Sequence, residues 1–243
     1  FGYAIWGYEQ IYHYSIDGQY YNNNPIDSSS LNFLDDLLDN WCQSSLDVKA
    51  LGFLSYDVKN IFYPHIDFKN SSNPLPYIWF IKPKLVKPYY INADYSNSND
   101  VLLSNVKTSM SLAKYKNLIK EIKDELKAGN TYQINFTMQK IFNIHKSPID
   151  SYLQIRNYAK PRYGYYLNIG NEQVLSFSPE NFFHTDDNLI YTHPMKGTIN
   201  RSKNNLIDSQ LKQALIDSVK DKAEHIMIVD LLRNDLGKIC KYD

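Results

Sequence analysis

One lysine in this chain has the neighbours that a reactive amine requires. Lys196 precedes Gly197 and Thr198 in the segment HPMKGTINR, which spans residues 193–201. Glycine lets the backbone approach a ligand closely, and threonine offers a hydroxyl and an N–H to an anion. A deprotonated lysine amine is a nucleophile. The segment predicts an anion-binding turn that carries a nucleophile, and the alternative is a solvated surface lysine.

A carboxylate precedes this lysine in the chain. Glu180 follows a Ser-Pro pair, and because proline fixes the local backbone, the carboxylate can be aimed at a substrate. Phe177, Phe182 and Phe183 predict an apolar setting, which suits a general acid that protonates a leaving oxygen. The alternative is a glutamate at a strand end that forms a salt bridge, for example with Lys196.

Two further carboxylates follow the lysine. Asp221 and Glu224 are three residues apart in a predicted helix, and this spacing places them on one face. Mg²⁺ takes oxygen ligands, usually one or two protein carboxylates together with waters and substrate oxygens. Residue type alone leaves two interpretations of Glu224 open, a ligand of such a cation with Asp221 in support and an ordinary exposed helical glutamate.

The composition argues against several classes of partner. The formal net charge is +0 and the pI is about 7.2, so no strong field would recruit nucleic acid or a membrane surface. No apolar run reaches the roughly 18 residues that a membrane span needs. Cys42 and Cys240 are far apart in the chain and form no disulfide framework, which fits a reducing cytoplasm. We expect a cytoplasmic protein without nucleic-acid or membrane partners.

Hydrophobic periodicity predicts an α+β protein with large antiparallel sheets and flanking helices. The longer strands are predicted over residues 3–16, 50–56, 77–81, 85–91 and 131–144. Helices are predicted over residues 31–41, 112–126, 148–158 and 203–236, the last with a break near 218–221. Short strands over residues 163–169, 173–177, 181–185 and 189–192 predict an antiparallel meander.

Local signals refine these elements. Serines 28–30 are predicted to cap the first helix, Ser111 to cap the second, and Gly129 to end it. The Asn/Ser-rich residues 94–100 predict a loop or linker. The chain is therefore divided into an N-terminal subdomain, residues 1–95, and a second domain, residues 105–243.

Five segments in this order resemble the chorismate-utilising enzymes, over residues 51–243. They are LSYD at 54–57, YQINFT at 132–137, SPE at 178–180, PMKGTINR at 194–201 and AEHIMIVDLLRND at 223–235. The resemblance implies a two-subdomain sandwich of the anthranilate synthase component I type, with the site in a cleft. It also implies Mg²⁺ at Glu224 with Asp221, catalysis by Lys196 and Glu180, and substrate binding by Gly197, Thr198, Gln133 and Asn135. The Arg233-Asn234-Asp235 tripeptide would form a buried Arg–Asp network.

Two positions favour one reaction within that family. The isochorismate and salicylate synthases carry a lysine where this chain has Gln133, and an amide cannot act as a base near neutral pH. Ammonia is therefore favoured over water as the nucleophile. Anthranilate synthases usually have alanine at the position of Lys196, whereas aminodeoxychorismate synthase component I has lysine. The resemblance implies Mg²⁺-dependent amination of chorismate to 4-amino-4-deoxychorismate, for p-aminobenzoate and folate synthesis.

The ammonia source must lie on another chain. Cys42 lacks the glycine-flanked elbow of an amidotransferase nucleophile, so the resemblance implies a separate glutamine amidotransferase subunit. Family members continue beyond the position of Asp243 with a second metal-binding glutamate. These 243 residues alone are therefore expected to be an inactive C-terminally truncated fragment. The alternatives are anthranilate synthase component I, and a non-catalytic protein that binds a partner or an aromatic amino acid.

Overall fold

The computed structural model describes residues 2–27, 30–68, 73–90 and 103–241. The chain separates into two compact units, one of Phe1–Ser96 with Ile169–Glu172 and one of Asn97–Asn168 with Gln173–Asp243. The α+β architecture with antiparallel sheets and flanking helices is confirmed. The predicted linker at residues 94–100 lies outside the described residues, and the predicted domain bounds stay a prediction.

The first unit contains a five-stranded antiparallel sheet. Its strands are β1 (Gly2–Ser15), β2 (Gly18–Tyr21), β3 (Asn24–Ile26), β4 (Leu51–Leu54) and β5 (Ile78–Tyr89), in the spatial order β3-β2-β1-β5-β4. Gly18 adopts a φ of 123° in the turn between β1 and β2, a value that glycine tolerates and other residues rarely adopt. The Asp-Gly pair at 17–18 is a hairpin-type turn signal, and β1 and β2 form that hairpin.

Helix α1 (Asn32–Cys42) covers this sheet. Its residues Leu34, Leu37 and Trp41 recur at helical spacing and pack against Tyr12 and Ile78 of the strands. The predicted serine cap is wrong in detail, because the cap position is held by Leu31. The nearest described serine, Ser30, accepts a hydrogen bond of 3.2 Å from the Asn32 N–H. Residues 28 and 29 lie outside the described residues.

Strand β5 corrects a prediction. The Lys-Pro pair at 82–83 predicted two strands, yet β5 is continuous. Pro83 pairs with Tyr8 at a register irregularity of the β1–β5 ladder. Strand β4 pairs with β5 only as far as Ile81, so the later part of β5 has β1 as its one described neighbour. Proline, which lacks an N–H, is tolerated at such an irregular edge.

The second unit alternates hairpins and helices. A short helix of the first unit, Lys59–Phe62, is α2, so the numbering of helices here begins at α3. The described elements of the second unit are β6 (Leu103–Thr108), α3 (Leu112–Lys127), β7 (Lys140–Ile144), α4 (Pro148–Ala159), β8 (Tyr163–Asn168), β9 (Gln173–Ser178), β10 (His184–Asp186), β11 (Leu189–Tyr191), α5 (Asn205–Asp217) and α6 (Val219–Leu236). The ladders β6–β7, β8–β9 and β10–β11 are separate two-stranded antiparallel sheets.

Polar caps set the ends of these helices. Ser111 accepts from the Lys114 N–H at the start of α3, and Gly129 has a φ of 76° beyond its end, so both predictions are confirmed. Ser218 alone separates α5 from α6 and accepts from the Asp221 N–H at 3.2 Å. The predicted break near 218–221 is therefore one capping residue long.

Two predicted strand arrangements are wrong. Only Lys140–Ile144 of the predicted strand 131–144 is a strand. Strand β6 ends at Thr108 and the chain then turns into α3, so residues 131–138 have no described strand beside them, although Gln139 still bonds to Ser109. The predicted meander is two separate hairpins. Strand β9 ends at Ser178, whose Oγ accepts from the Glu180 N–H and donates to the Glu180 carbonyl in a tight turn.

Among the described residues, no helix is both long and apolar enough to cross a membrane.

Candidate functional site

The Lys196 segment, residues 192–204, joins β11 to α5 without regular secondary structure. It lies entirely in the second unit. Carboxylates of three other parts of that unit contact it: Glu180 beyond β9, Asp208 on α5 and Asp221 on α6. The three carboxylates thus meet the segment at Met195, at Gly197 and at residues 201–202.

Glu180 contacts the residue before the lysine. Its Oε1 accepts a hydrogen bond of 2.7 Å from the Met195 N–H. Nearby, the Thr192 hydroxyl donates to the Phe182 carbonyl at 2.9 Å, so two hydrogen bonds join the turn after β9 to the Lys196 segment. No ion pair between Glu180 and Lys196 is present in the described structure, in which the carboxylate binds backbone.

The predicted apolar setting of Glu180 is wrong for the described residues. Glu180 is exposed, and the Phe182 and Phe183 side chains keep 80% and 51% of their surface accessible. The two rings contact each other, with centroids 5.2 Å apart, rather than covering the carboxylate. Glu180 is therefore held by its hydrogen bond and not by apolar burial.

Gly197 packs against the start of α6. A Cβ atom added at Gly197 would lie 2.9 Å from both Cβ and Cγ of Asp221 and 3.0 Å from its Oδ1. Ser218 caps the same helical turn, which keeps Asp221 in place. Only glycine fits here without displacing a neighbour, so the structure brings the predicted anion-binding turn and the predicted metal-supporting carboxylate into contact.

Glu224 lies on α6 one turn beyond Asp221. Its carboxylate is half-exposed and lies 3.8 Å from the Lys220 Nζ. Within the described ranges, no group of three His, Cys, Asp or Glu side chains could hold a metal ion. Two carboxylates on one helical face nevertheless match Mg²⁺, which uses one or two protein carboxylates and completes its shell with water and substrate oxygens.

Arg201 and Asp208 close the downstream end of the Lys196 segment. Arg201 Nε donates to Oδ1 of Asp208 at 2.8 Å, and Nη2 donates to Oδ2 at 2.8 Å. The Ser202 N–H also donates to Oδ1, at 2.9 Å. The hydrogen bonds from Arg201 and then from Ser202 hold the pKa of Asp208 below its ordinary value, and Asp208 in turn raises the pKa of Arg201.

A ring stack precedes the lysine. The imidazole of His184 stacks on Tyr191 with centroids 4.9 Å apart and on His193 at 5.8 Å. Asn181 Nδ2 lies 3.3 Å from His184 Nδ1. The upstream end of the Lys196 segment is therefore attached to the β10–β11 hairpin by aromatic contact as well as by the chain.

Lys196 itself keeps an unengaged amine. The side chain is half-buried. Among the residues that the structure describes, no carboxylate lies within 4.0 Å of its Nζ, and no hydrogen-bond partner is present. The backbone contacts on both sides of Lys196 fix its position without occupying the amine.

Gln133 and Asn135 are not joined to this cluster. They lie in the irregular residues 131–139, where Gln133 Nε2 donates to Asn135 Oδ1 at 3.4 Å. No hydrogen bond or ion pair links either residue to Lys196 or Glu180 within the described part of the chain, and Thr198 is exposed. Their assignment as substrate-binding residues stays a prediction.

The predicted buried Arg–Asp network is wrong. Arg233 pairs with Asp230 at 3.6 Å, and Asp235 pairs with Lys238 at 2.8 Å. All four side chains are more than half exposed. Each charge thus binds a neighbour at i, i+3 along the same stretch of chain, where opposite charges meet on the surface.

Sequence reasoning missed Asp208 and the ring stack. The signal for Asp208 was an acidic residue in the first turn of a helix, seven positions after an arginine that belongs to the lysine motif. Acidic residues in first turns are common because they complement the helix dipole, and for this reason the sequence alone did not select this one.

Known proteins match this chain over most of its length. The family model for chorismate binding enzymes matches residues 91–243. Anthranilate synthase component 1 of Saccharolobus solfataricus is 30% identical over 203 residues, covering 78% of this chain and 48% of that protein. Aminodeoxychorismate synthase component 1 of Escherichia coli is 31% identical over 138 residues, covering 57% of this chain and 30% of that protein.

A solved structure matches the fold. Anthranilate synthase component I from Streptococcus pneumoniae superposes with a TM-score of 0.79 at 20% identity, covering 98% of this chain and 61% of that one. The chain spans half or less of the length of the two curated relatives above. Because the family match extends over more than half of the chain and includes the Lys196 segment, the chain belongs to the chorismate-binding enzyme family.

Proposed function

We propose that the whole protein aminates chorismate to 4-amino-4-deoxychorismate, as an aminodeoxychorismate synthase component I does. The observation that carries the proposal is the arrangement around Lys196. Its amine has no partner among the described residues, while Glu180 and Asp221 contact the residues on either side of it. A lysine at this position favours the aminodeoxychorismate reaction over the anthranilate reaction.

The proposed reaction divides the work between Lys196 and Glu180. The neutral Lys196 amine forms a C–N bond to the ring as the allylic C–O bond breaks, and the oxygen leaves as water with a proton from Glu180. Ammonia then forms the C–N bond at the 4-position and expels the lysine amine, and Glu180 recovers a proton from the ammonia nitrogen. Chorismate and ammonia thus give the amino product and water.

We propose that Glu180, as general acid, carries the transferable proton on Oε2. Oε1 accepts from the Met195 N–H and is the carbonyl-like oxygen of the protonated acid. The transferable proton therefore belongs on Oε2, which has no hydrogen-bond partner within the described residues. A general acid of this kind contributes typically 10²–10⁴-fold to a rate.

We propose Mg²⁺ as the cofactor, held by Glu224 with Asp221 in support. When bound, it neutralises the negative charge of a substrate carboxylate. Lys220 is 3.8 Å from the Glu224 carboxylate and would have to move away when the ion binds. Gly197 and Thr198 would present backbone N–H groups to the substrate, and Gln133 and Asn135 would add amide contacts.

We propose that the ammonia comes from a separate glutamine amidotransferase subunit. Both classes of curated relative bear the name component 1. Cys42 is exposed and lacks the glycine-flanked elbow of an amidotransferase nucleophile. A cytoplasmic location fits the two free cysteines of the described chain.

Anthranilate synthesis is the second candidate, because relatives of both names match at nearly the same identity, 30% and 31%. Product analysis separates the two. The protein expressed from its full reading frame should convert chorismate, Mg²⁺ and ammonium into a product that an added lyase converts to p-aminobenzoate. Fluorescent anthranilate formed without a lyase would instead support the second candidate, and no amine product at all would support a non-catalytic binding protein.

A further inference from the structure

The Arg201–Asp208 pair has more bonds than an ordinary surface ion pair. Arg201 approaches both carboxylate oxygens in the bidentate geometry that makes such pairs strong and directional. The Ser202 N–H bonds to the same carboxylate, so side chain and backbone of successive residues are fixed together. Asp208 is only 20% exposed although Arg201 is 85% exposed.

Asp208 stands on a well-fixed helical turn. The Asn204 Oδ1 accepts from the N–H groups of Leu206 and Ile207, and the Asp208 N–H donates to the Asn204 carbonyl at 2.9 Å. A carboxylate in the first turn of a helix is further stabilised by the helix dipole. The turn can therefore act as an anchor for the irregular residues that precede it.

We propose that Asp208 is a positioning residue for Lys196, acting through Arg201 and the Ser202 backbone on the downstream end of the Lys196 segment. This proposal rests on the proposed function. Glu180 and Asp221 hold residues 195 and 197, but residues 198–200 have no hydrogen bond to another part of the described chain. Without Asp208 the segment would be free to move from residue 198 onward.

A positioning role predicts a specific pattern of loss. Because the Arg201 guanidinium is 85% exposed and screened by water, removal of the pair should lower the stability of the protein only modestly. A displaced reacting group instead lowers turnover, because catalysis depends on the placement of the reacting atoms within about 1 Å. Substrate affinity should change less, since the groups that contact the substrate remain.

The variants are Asp208→Asn, Asp208→Glu, Arg201→Gln and the double variant Asp208→Asn/Arg201→Gln. The matched control is Asp217→Asn at the other end of α5, where the carboxylate accepts from Gln213 at 2.9 and 3.0 Å but does not touch the Lys196 segment. The control carries the same change of charge and of residue type on the same helix.

We expect Asp208→Asn to lower kcat about tenfold and to change KM for chorismate less than twofold. Arg201→Gln should lower kcat to the same extent, and the double variant should lose no more than either single variant. Asp208→Glu should recover part of the lost kcat, and Asp217→Asn should have the kcat of the parent protein. A kcat equal to that of the parent, or an equal loss in Asp217→Asn, would overturn the proposal.

Amide hydrogen exchange gives a readout that does not need the reaction. The Ser202 amide, which bonds to Asp208 Oδ1, should exchange faster in Asp208→Asn than in the parent and in Asp217→Asn, whereas α6 should be unchanged. Unchanged exchange of the Ser202 amide refutes the positioning role whatever the enzyme does. Faster exchange in a protein that does not aminate chorismate would refute the proposed function and leave the structural role of Asp208 supported.

Discussion

The sheet of the first unit and the Lys196 segment of the second are held by different forces. In the sheet region, Tyr12, Trp41 and Ile78 keep 0–1% of their surface accessible, so apolar burial dominates. Around Lys196 the contacts are hydrogen bonds and close packing from three carboxylates, at positions that water can reach. Apolar burial stabilises the first unit, where truncation of a buried side chain leaves a cavity. The contacts around Lys196 fix the position of the backbone and contribute little to the free energy of unfolding.

The largest effect should come from the buried region. Trp41→Ala removes a side chain that packs against Tyr12 and Ile78 and whose Nε1 donates to Gln10. Truncation of such a residue costs about 3–5 kcal/mol. The three tryptophans, Trp6, Trp41 and Trp79, all lie in the first unit, so denaturant unfolding followed by tryptophan fluorescence reports on that unit.

The control for this change is Ile16→Ala in the same unit, at a side chain that is 82% exposed. It should alter the free energy of unfolding by less than about 0.5 kcal/mol. A Trp41→Ala variant as stable as this control would mean that apolar burial does not dominate the first unit.

The second largest effect is expected from Gly197→Ala, which should lower turnover without lowering the stability of the protein. Gly197→Ala forces a methyl group against Asp221, so the Lys196 segment or the start of α6 must shift. We expect turnover of chorismate to fall about 10²-fold, the scale of a displaced reacting group, while thermal unfolding followed by far-UV circular dichroism, which reports on both units, stays nearly unchanged. Gly2→Ala adds a methyl group into open space and serves as the control. Parent-like turnover in Gly197→Ala would show that the contact with Asp221 does not position the lysine.

The smallest effect appears only at alkaline pH. Burial, with a smaller contribution from Tyr14, raises the pKa of Tyr12 from 10.0 to about 12. The folded state thus favours the neutral phenol, which donates to the Gln19 Oε1 at 2.7 Å. The corresponding stability is complete below pH 10 and is lost as the pH rises toward about 12.

The variant Tyr12→Phe tests whether stability falls with rising pH because Tyr12 ionises. The free energy of unfolding of the parent should fall more steeply between pH 10 and about 12 than that of the variant. Identical pH dependence of the two proteins would show that Tyr12 does not ionise differently in the folded and unfolded states.

Periodic elements were predictable because their own side chains determine them. The helix predicted over residues 112–126 and the strand predicted over residues 3–16 rest on local periodicity, and both are present as α3 and β1. Residues 131–139 and the strand across Pro83 were predicted wrongly because a neighbouring strand, or its absence, decides the outcome there. Strand pairing depends on residues distant in sequence, which periodicity does not report.

The candidate site was predictable in part for the same reason. The motifs named Lys196, Gly197, Glu180 and Asp221, and the structure brings these four together. The motifs did not reveal that Glu180 accepts a hydrogen bond from the Met195 N–H, because this contact depends on how the turn after β9 meets the Lys196 segment. Asp208 carries no local mark that distinguishes it from other first-turn acids.

The measurement that tests the role of Lys196 most directly is the search for its covalent intermediate. The protein from the full reading frame would be incubated with chorismate and Mg²⁺ without ammonia and examined by peptide mass spectrometry. We predict an adduct with the mass of chorismate less one water on the peptide that contains Lys196, absent in Lys196→Ala, whose amination rate should be at least about 10²-fold lower. Amination by Lys196→Ala at the parent rate, with no adduct on the parent protein, would contradict the assignment of Lys196 as the nucleophile.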